Sequence, residues 1–98
     1  MAQKKPRRRS LLLRMEGTFD VPAAKRVELA LSRAPDELTV RVDLTRVTEF
    51  HDFGIAVLAQ AMKDRGIDGV SLTGLRTHQV RVLRYFGVEL EQLPVATT

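Results

Sequence analysis

Apolar and polar positions alternate along this chain with two distinct periods. Leu11, Leu13 and Met15 alternate with Leu12, Arg14 and Glu16, the two-residue period of a strand with one better-buried face. Gly17 is expected to end that strand. Asp20 offers a side-chain oxygen as a helix N-cap and Pro22 suits a first turn. A helix over about 22–32 then sets Ala23, Val27, Ala30 and Leu31 on one stripe, with Lys25 and Arg26 outside it and Pro35 closing it. Leu38, Val40, Val42 and Leu44 alternate strictly with Thr39, Arg41 and Asp43, the clearest strand pattern in the sequence. Residues 45–51 read as a loop. Asp52 can cap a second helix over about 53–64, whose Ile55, Leu58, Ala59 and Met62 recur at helical spacing, with Gly66 as its stop. Val70 and Leu72 mark a short strand. A third helix over about 75–86 has Val80, Leu83 and Phe86 as its inner stripe and Gly87 as its stop. Residues 88–98 predict no more than a weak turn.

The order is β-α-β-α-β-α, an α/β class. Parallel strands covered on both faces read as continuous apolar runs. These strands alternate instead, so the helices are expected on one face of a small sheet, with Arg14, Thr39, Arg41 and Ser71 on or near the open one.

Charge divides the chain more sharply than periodicity does. The 98 residues carry 16 Lys and Arg against 12 Asp and Glu, a net charge of +4. Residues 1–9 contain Lys4, Lys5, Arg7, Arg8 and Arg9 and no acid, so 10–98 keep 11 basic and 12 acidic side chains, a net of −1. The expected organisation is a solvated basic arm at 1–9, disordered by its own repulsion, and a single near-neutral domain at 10–98. The arm offers a contact for nucleic acid or acidic lipid through those five cations. No apolar run is long enough to span a membrane, and Leu11–Leu13 is too short for a signal-peptide core. The chain has no cysteine, which excludes disulfides and thiolate metal sites and fits a cytoplasmic location.

Catalytic motifs are missing. No glycine-rich phosphate cradle and no Gly-x-Ser-x-Gly elbow occurs. His51 and His78 stand in no metal-ligand spacing, so neither a metal nor another cofactor is expected. Asp43 is placed as a strand-end phosphoacceptor would be, but only scattered Glu16 and Asp20 could help it hold Mg²⁺. The segment His51-Asp52-Phe53-Gly54 is more informative. Asp52 puts a carboxylate at a helix start, where the dipole favours it. Gly54 costs a first turn roughly 1 kcal/mol against Ala and makes sense where another backbone, its own or a partner's, comes close. Phe53 is a large apolar side chain at the same helix start, either a core plug or an exposed contact.

At this point the sequence resembles the STAS domains, the anti-sigma-factor antagonists. Arg14-Met15-Glu16-Gly17-Thr18-Phe19-Asp20 looks like the start of those domains, and Val42-Asp43-Leu44-Thr45 looks like their central strand and its exit. Gly54-Ile55-Ala56-Val57-Leu58 is similar to the helix after their phosphorylation loop. Leu72-Thr73-Gly74-Leu75, then Val80, Leu83 and Gly87-Val88, are similar to their closing strand and helix. The resemblance covers roughly 11–90 and implies a small mixed β-sheet with helices packed on one face.

Two departures qualify what it implies. The family loop reads Asp-Ser-Ser/Thr-Gly, and a kinase-type anti-sigma factor phosphorylates the first Ser. Counted from Asp43 and aligned on Gly54, Asp52 stands at that acceptor position and His51 at the family's Asp. Aligning Asp52 with the family's Asp instead puts Phe53 at the acceptor and misplaces Gly54. Either register removes the serine. The family also has a strand before the one at Leu11, where this chain has its basic arm, so the sheet is expected to lack its first strand and to offer an open edge or accept a donated strand. The expected function is a non-enzymatic regulatory module of bacterial signalling. Binding through His51, Asp52, Phe53, Gly54 and Val57 would engage an anti-sigma kinase relative, a larger regulatory assembly or a transporter ATPase, with self-association through the edge. Asp52, with a charge near −1 against about −1.5 to −2 for phosphoserine, would mimic the phosphorylated state in part. The alternative is a nucleic-acid-binding protein acting through Lys4, Lys5, Arg7, Arg8 and Arg9.

Overall fold

In the computed structural model, which describes residues 9–89 and the backbone of 95–96, the strands lie in chain order, β1-β2-β3-β4. They are β1 (Ser10–Phe19), β2 (Thr39–Phe50), β3 (Val70–Thr73) and the two-residue β4 (Val95–Ala96). Three helices connect them, α1 (Val21–Arg33), α2 (Asp52–Arg65) and α3 (Thr77–Tyr85), with a short 3₁₀ turn at Ile67–Gly69 before β3. Neighbours in the sheet are consecutive in sequence, so each crossover of the usual right hand steps the same way and lands its helix on the same face. Met15, Phe19, Val40, Val42, Leu44, Val47, Val70 and Leu72 supply the sheet side of the core, and Val27, Leu31, Ile55, Leu58, Met62 and Leu83 the helix side. Arg14 and Arg41 are exposed on the other face and Thr39 and Ser71 half-buried, as the alternation predicts.

The α/β class and the single helical layer agree with the resemblance. All described pairings are parallel, because each connection is a crossover and not a hairpin. The mixed strand direction expected of the sheet is therefore not found among the described residues. There, β1 pairs with β2 alone and forms an edge. The ladder begins one residue before β1, where the Arg9 carbonyl accepts the Thr39 N–H at 3.1 Å. The remainder of the basic arm, residues 1–8, lies outside the described residues.

Several boundaries move. Gly17 does not end β1; it takes a left-handed φ of 74° within the strand, which runs on to bury Phe19. Residues 45–50 are strand, not loop. Arg14 pairs with Asp43 but Glu16 with Arg46, so β2 holds an extra residue there, and a second shift follows at Gly17/Thr18. The bulge resets the alternation and brings Val47 to the core beside Leu44. A short β4 pairs with β3 where a weak turn was expected.

Asp43 holds the first bulge in place. Its Oδ1 accepts the Thr45 N–H at 3.0 Å, the Thr45 hydroxyl at 2.6 Å and the Thr73 hydroxyl at 3.2 Å, and Arg14 Nε lies 3.7 Å from Oδ2. Gly74, at φ 90°, completes the fit, since a Cβ there would lie 2.5 Å from the Thr45 nitrogen. At the opposite end of the sheet the Arg65 guanidinium donates to the carbonyls of Leu31, Ala34, Pro35 and Leu38 at 2.7–2.9 Å. It thereby satisfies the carbonyls left open at the end of α1 and ties α2 to the α1–β2 connection.

The hydroxyl of Thr45 first, then its N–H, then Thr73 and Arg14, hold the Asp43 carboxyl below its ordinary value of 3.8. A carboxylate with a lowered folded pKa contributes stability that is present above the unfolded pKa and lost as the pH falls through the folded one. Asp43→Asn is therefore expected to lower the melting temperature at pH 7, with the gap to wild type closing below about pH 4. Thermal melts across that range check this.

Candidate functional site

Parallel strands that each feed a helix bring all three helix N-termini to the carboxyl end of the sheet, where open α/β sheets bind their ligands. One residue, Asp20, joins β1 to α1, and its Oδ1 accepts the Ala23 N–H at 3.0 Å, the N-cap expected of it. One residue, His51, joins β2 to α2, and its N–H donates to the Phe19 carbonyl at 2.9 Å.

The close approach foreseen for Gly54 is to the chain's own backbone. A Cβ at Gly54 would lie 2.9 Å from Phe19 O and from both Asp20 C and O. Gly54 is buried there. This corrects its assignment as a partner-binding residue, because the β1–α1 turn already occupies the face that it would present. Asp52 is likewise not the N-cap. His51 takes that position, without a side-chain cap bond, and Asp52 is the first helical residue. Its Oδ1 meets His78 Nε2 at 2.9 Å, across to the first turn of α3. His51 Nε2 lies 3.1 Å from Glu49 Oε2. Val57, one turn beyond Phe53, is half-buried against the core.

Phe53 points outward, 80% exposed, and Tyr85 near the end of α3 is 83% exposed. Between them runs a shallow groove of about 500 Å³, lined by Asp52, Phe53, His78, Arg81, Val82, Tyr85 and Phe86. Phe86 packs edge-on against Tyr85, ring centroids 5.1 Å apart and planes at 88°. It does not belong to the inner stripe of α3, because the helix ends at Tyr85 and Phe86 turns aside at its C-cap, 39% exposed. The buried positions of α3 are Gln79 and Leu83; Gln79 is tolerated there because its Oε1 accepts the Arg76 N–H at 3.2 Å.

The surface is built from two helices, α2 and α3, and not from the start of α2 alone. His78, Arg81 and Tyr85 recur at i, i+3 and i+7, the spacing of one helix face, and this was the signal available for them. A groove flanked by aromatic rings and lined also by Asp52, His78 and Arg81 can receive an apolar anchor from a protein partner and orient it by charge. Among the described residues, no group of three or more His, Cys, Asp and Glu is placed to hold a metal, and no helix is long and apolar enough to cross a membrane.

Among solved structures, the STAS domain of a SulP transporter from Vibrio cholerae superposes on this chain with a TM-score of 0.61. The likeness covers 93% of this chain and 74% of that one, at 20% sequence identity. This chain has the STAS fold. No protein-family description and no curated protein matches the sequence. In this STAS fold the β2–α2 junction reads His51-Asp52-Phe53-Gly54, without a serine.

Gly54 and Phe53 should separate cleanly by stability. Gly54→Ala is expected to destabilise the domain by about 1–3 kcal/mol through the clash with Phe19 and Asp20, although alanine is the better helix former. Phe53→Ala should change the melting temperature little. Chemical denaturation of both variants reads the difference.

Proposed function

We propose that this chain is a non-enzymatic, STAS-type regulatory module that docks a protein partner through the start of α2 and the facing side of α3. The observation that carries the reading is the pair of outward rings, Phe53 and Tyr85, on either side of an apolar groove. Exposed aromatics grouped in this way are typical of protein-docking surfaces, whereas exposed apolar residues scattered singly need no explanation. Asp52 lines the groove on α2, and His78 and Arg81 line it on α3; His51, the residue before α2, and Val57, one turn beyond Phe53, are proposed to extend the contact.

The finer reading is an anti-sigma-factor antagonist whose serine switch is replaced by a fixed charge. Asp52 then holds the loop in one charge state, and the partner is an anti-sigma kinase relative, a larger regulatory assembly or a transporter ATPase in the cytoplasm. Both the resemblance of the motifs and the name of the structural neighbour support a STAS-type role. The alternative, a nucleic-acid or acidic-lipid contact through Lys4, Lys5, Arg7, Arg8 and Arg9, involves a different part of the chain and is separable by deletion.

The test is affinity capture from a bacterial extract on three baits: wild type, Phe53→Ala and a chain lacking residues 1–8. A protein retained by wild type and by the shortened chain, and lost from Phe53→Ala, is the expected result. Equal capture on wild type and Phe53→Ala contradicts the reading. Capture that needs residues 1–8 and collapses with added salt favours the arm and a polyanion.

A further inference from the structure

The edge of β1 is the longest stretch of backbone that the described structure leaves unpaired. Its ten residues are hydrogen-bonded to β2 on one side, with no described strand on the other. Because the Arg9 carbonyl faces β2, the backbone groups of Leu11 and Leu13 also face β2, and those of Ser10, Leu12, Arg14 and Glu16 face outward. An outward row of this kind is a template for another strand.

The charges beside that row limit which strand it fits. On the open face, Arg14 lies beside Asp43, 3.7 Å from it, and Glu16 beside Arg46 at 3.8 Å. Rows of opposite order thus run side by side, negative to positive at one step and positive to negative at the next. Each row ends at β1, on Arg14 in one and on Glu16 in the other.

We propose that β1 pairs antiparallel with β1 of a second copy of this chain, about a two-fold axis at Met15. In that register Arg14 faces Glu16 of the second copy, and Glu16 faces Arg14 of the second copy. Both are outward-facing residues, so they form hydrogen-bonded backbone pairs as well as ion pairs. Each charge row then continues across the junction with alternating sign: Asp43, Arg14, Glu16 of the second copy, Arg46 of the second copy. The two neighbouring registers that keep the same faces together set Arg14 opposite Arg14, or Glu16 opposite Glu16, and like charges directly opposite are unfavourable. Leu12, 46% exposed, gains cover from Thr18 of the second copy. The antiparallel direction also places the two Arg9 residues at opposite ends of the shared strand pair. None of the residues involved lines the Phe53–Tyr85 groove, so this surface stands apart from the proposed partner site.

The test is a charge swap followed by sedimentation velocity of the full chain from micromolar to hundreds of micromolar. Wild type is expected to show a concentration-dependent dimer. Arg14→Glu and Glu16→Arg are each expected to weaken association by about tenfold or more, since both reciprocal pairs become repulsive. An equimolar mixture of the two variants should dimerise again, because the two acids on β1 of one variant then face the two arginines on β1 of the other. Thermal melting of each variant establishes that it is folded. A wild-type chain that stays monomeric throughout, as it would if another segment already covered the edge, overturns the proposal. So does a dimer that both single variants leave unchanged, or a mixture that fails to recover association.

Discussion

The first turn of α2 lies against the β1–α1 turn with no room for a side chain between them. A Cβ at Gly54 would be 2.9 Å from the backbone of Phe19 and Asp20, and the His51 N–H donates to the Phe19 carbonyl at the same place. This contact fixes where α2 begins and how it is turned. With Gly54 and Ile55 facing inward, the helical repeat leaves Asp52 and Phe53 facing outward. The exposure of Phe53 is thus a consequence of the inward seating of its neighbour and not a separate feature of the loop.

The contact also explains how two helices come to share one surface. Once α2 starts at Asp52, its carboxylate lies within hydrogen-bond distance of His78 on the first turn of α3. At the other end of α3, Lys63 on α2 donates to the Phe86 carbonyl at 2.7 Å. Tyr85 and Phe86 are held beside α2 in this way, and the groove closes around them. A single exposed Phe on a helix start would be an ordinary surface residue. Paired across a groove with a second ring, it becomes the centre of a surface with an apolar floor and a charged rim.

Much of this was legible in the sequence because the relevant signals are local. The period-two alternation of Val40, Val42 and Leu44 located β2 and the face of the sheet that is covered. Asp20 and Gly87 marked the start of α1 and the end of α3, and an otherwise costly glycine at 54 pointed to a close backbone contact. What escaped was non-local. The bulge at Asp43 and Thr45 shifts the alternation by one residue, so Val47 falls out of phase and 45–50 looks like a loop until Thr73 at the end of β3 and Gly74 just after it are seen to hold it. Asp52 reads as an N-cap from residue type alone, but its partner is His78, 26 positions away. Phe86 fits the helical stripe of α3 by spacing and leaves it because the helix stops one residue earlier. Tyr85 shares a helical face with His78 and Arg81 in the sequence, but its pairing with Phe53 lies across the groove and not along the chain.

The docking surface rests on one arrangement, Gly54 beneath the surface and the rings of Phe53 and Tyr85 above it. Solvent paramagnetic relaxation measured by NMR on the intact chain tests that arrangement residue by residue. A soluble paramagnetic agent should strongly broaden the ring resonances of Phe53 and Tyr85 while leaving the Gly54 α-protons and the Phe19 ring sharp. A protected Phe53 ring together with an accessible Gly54 would mean that α2 is seated the other way round, and would contradict both the fold at this end of the sheet and the surface derived from it.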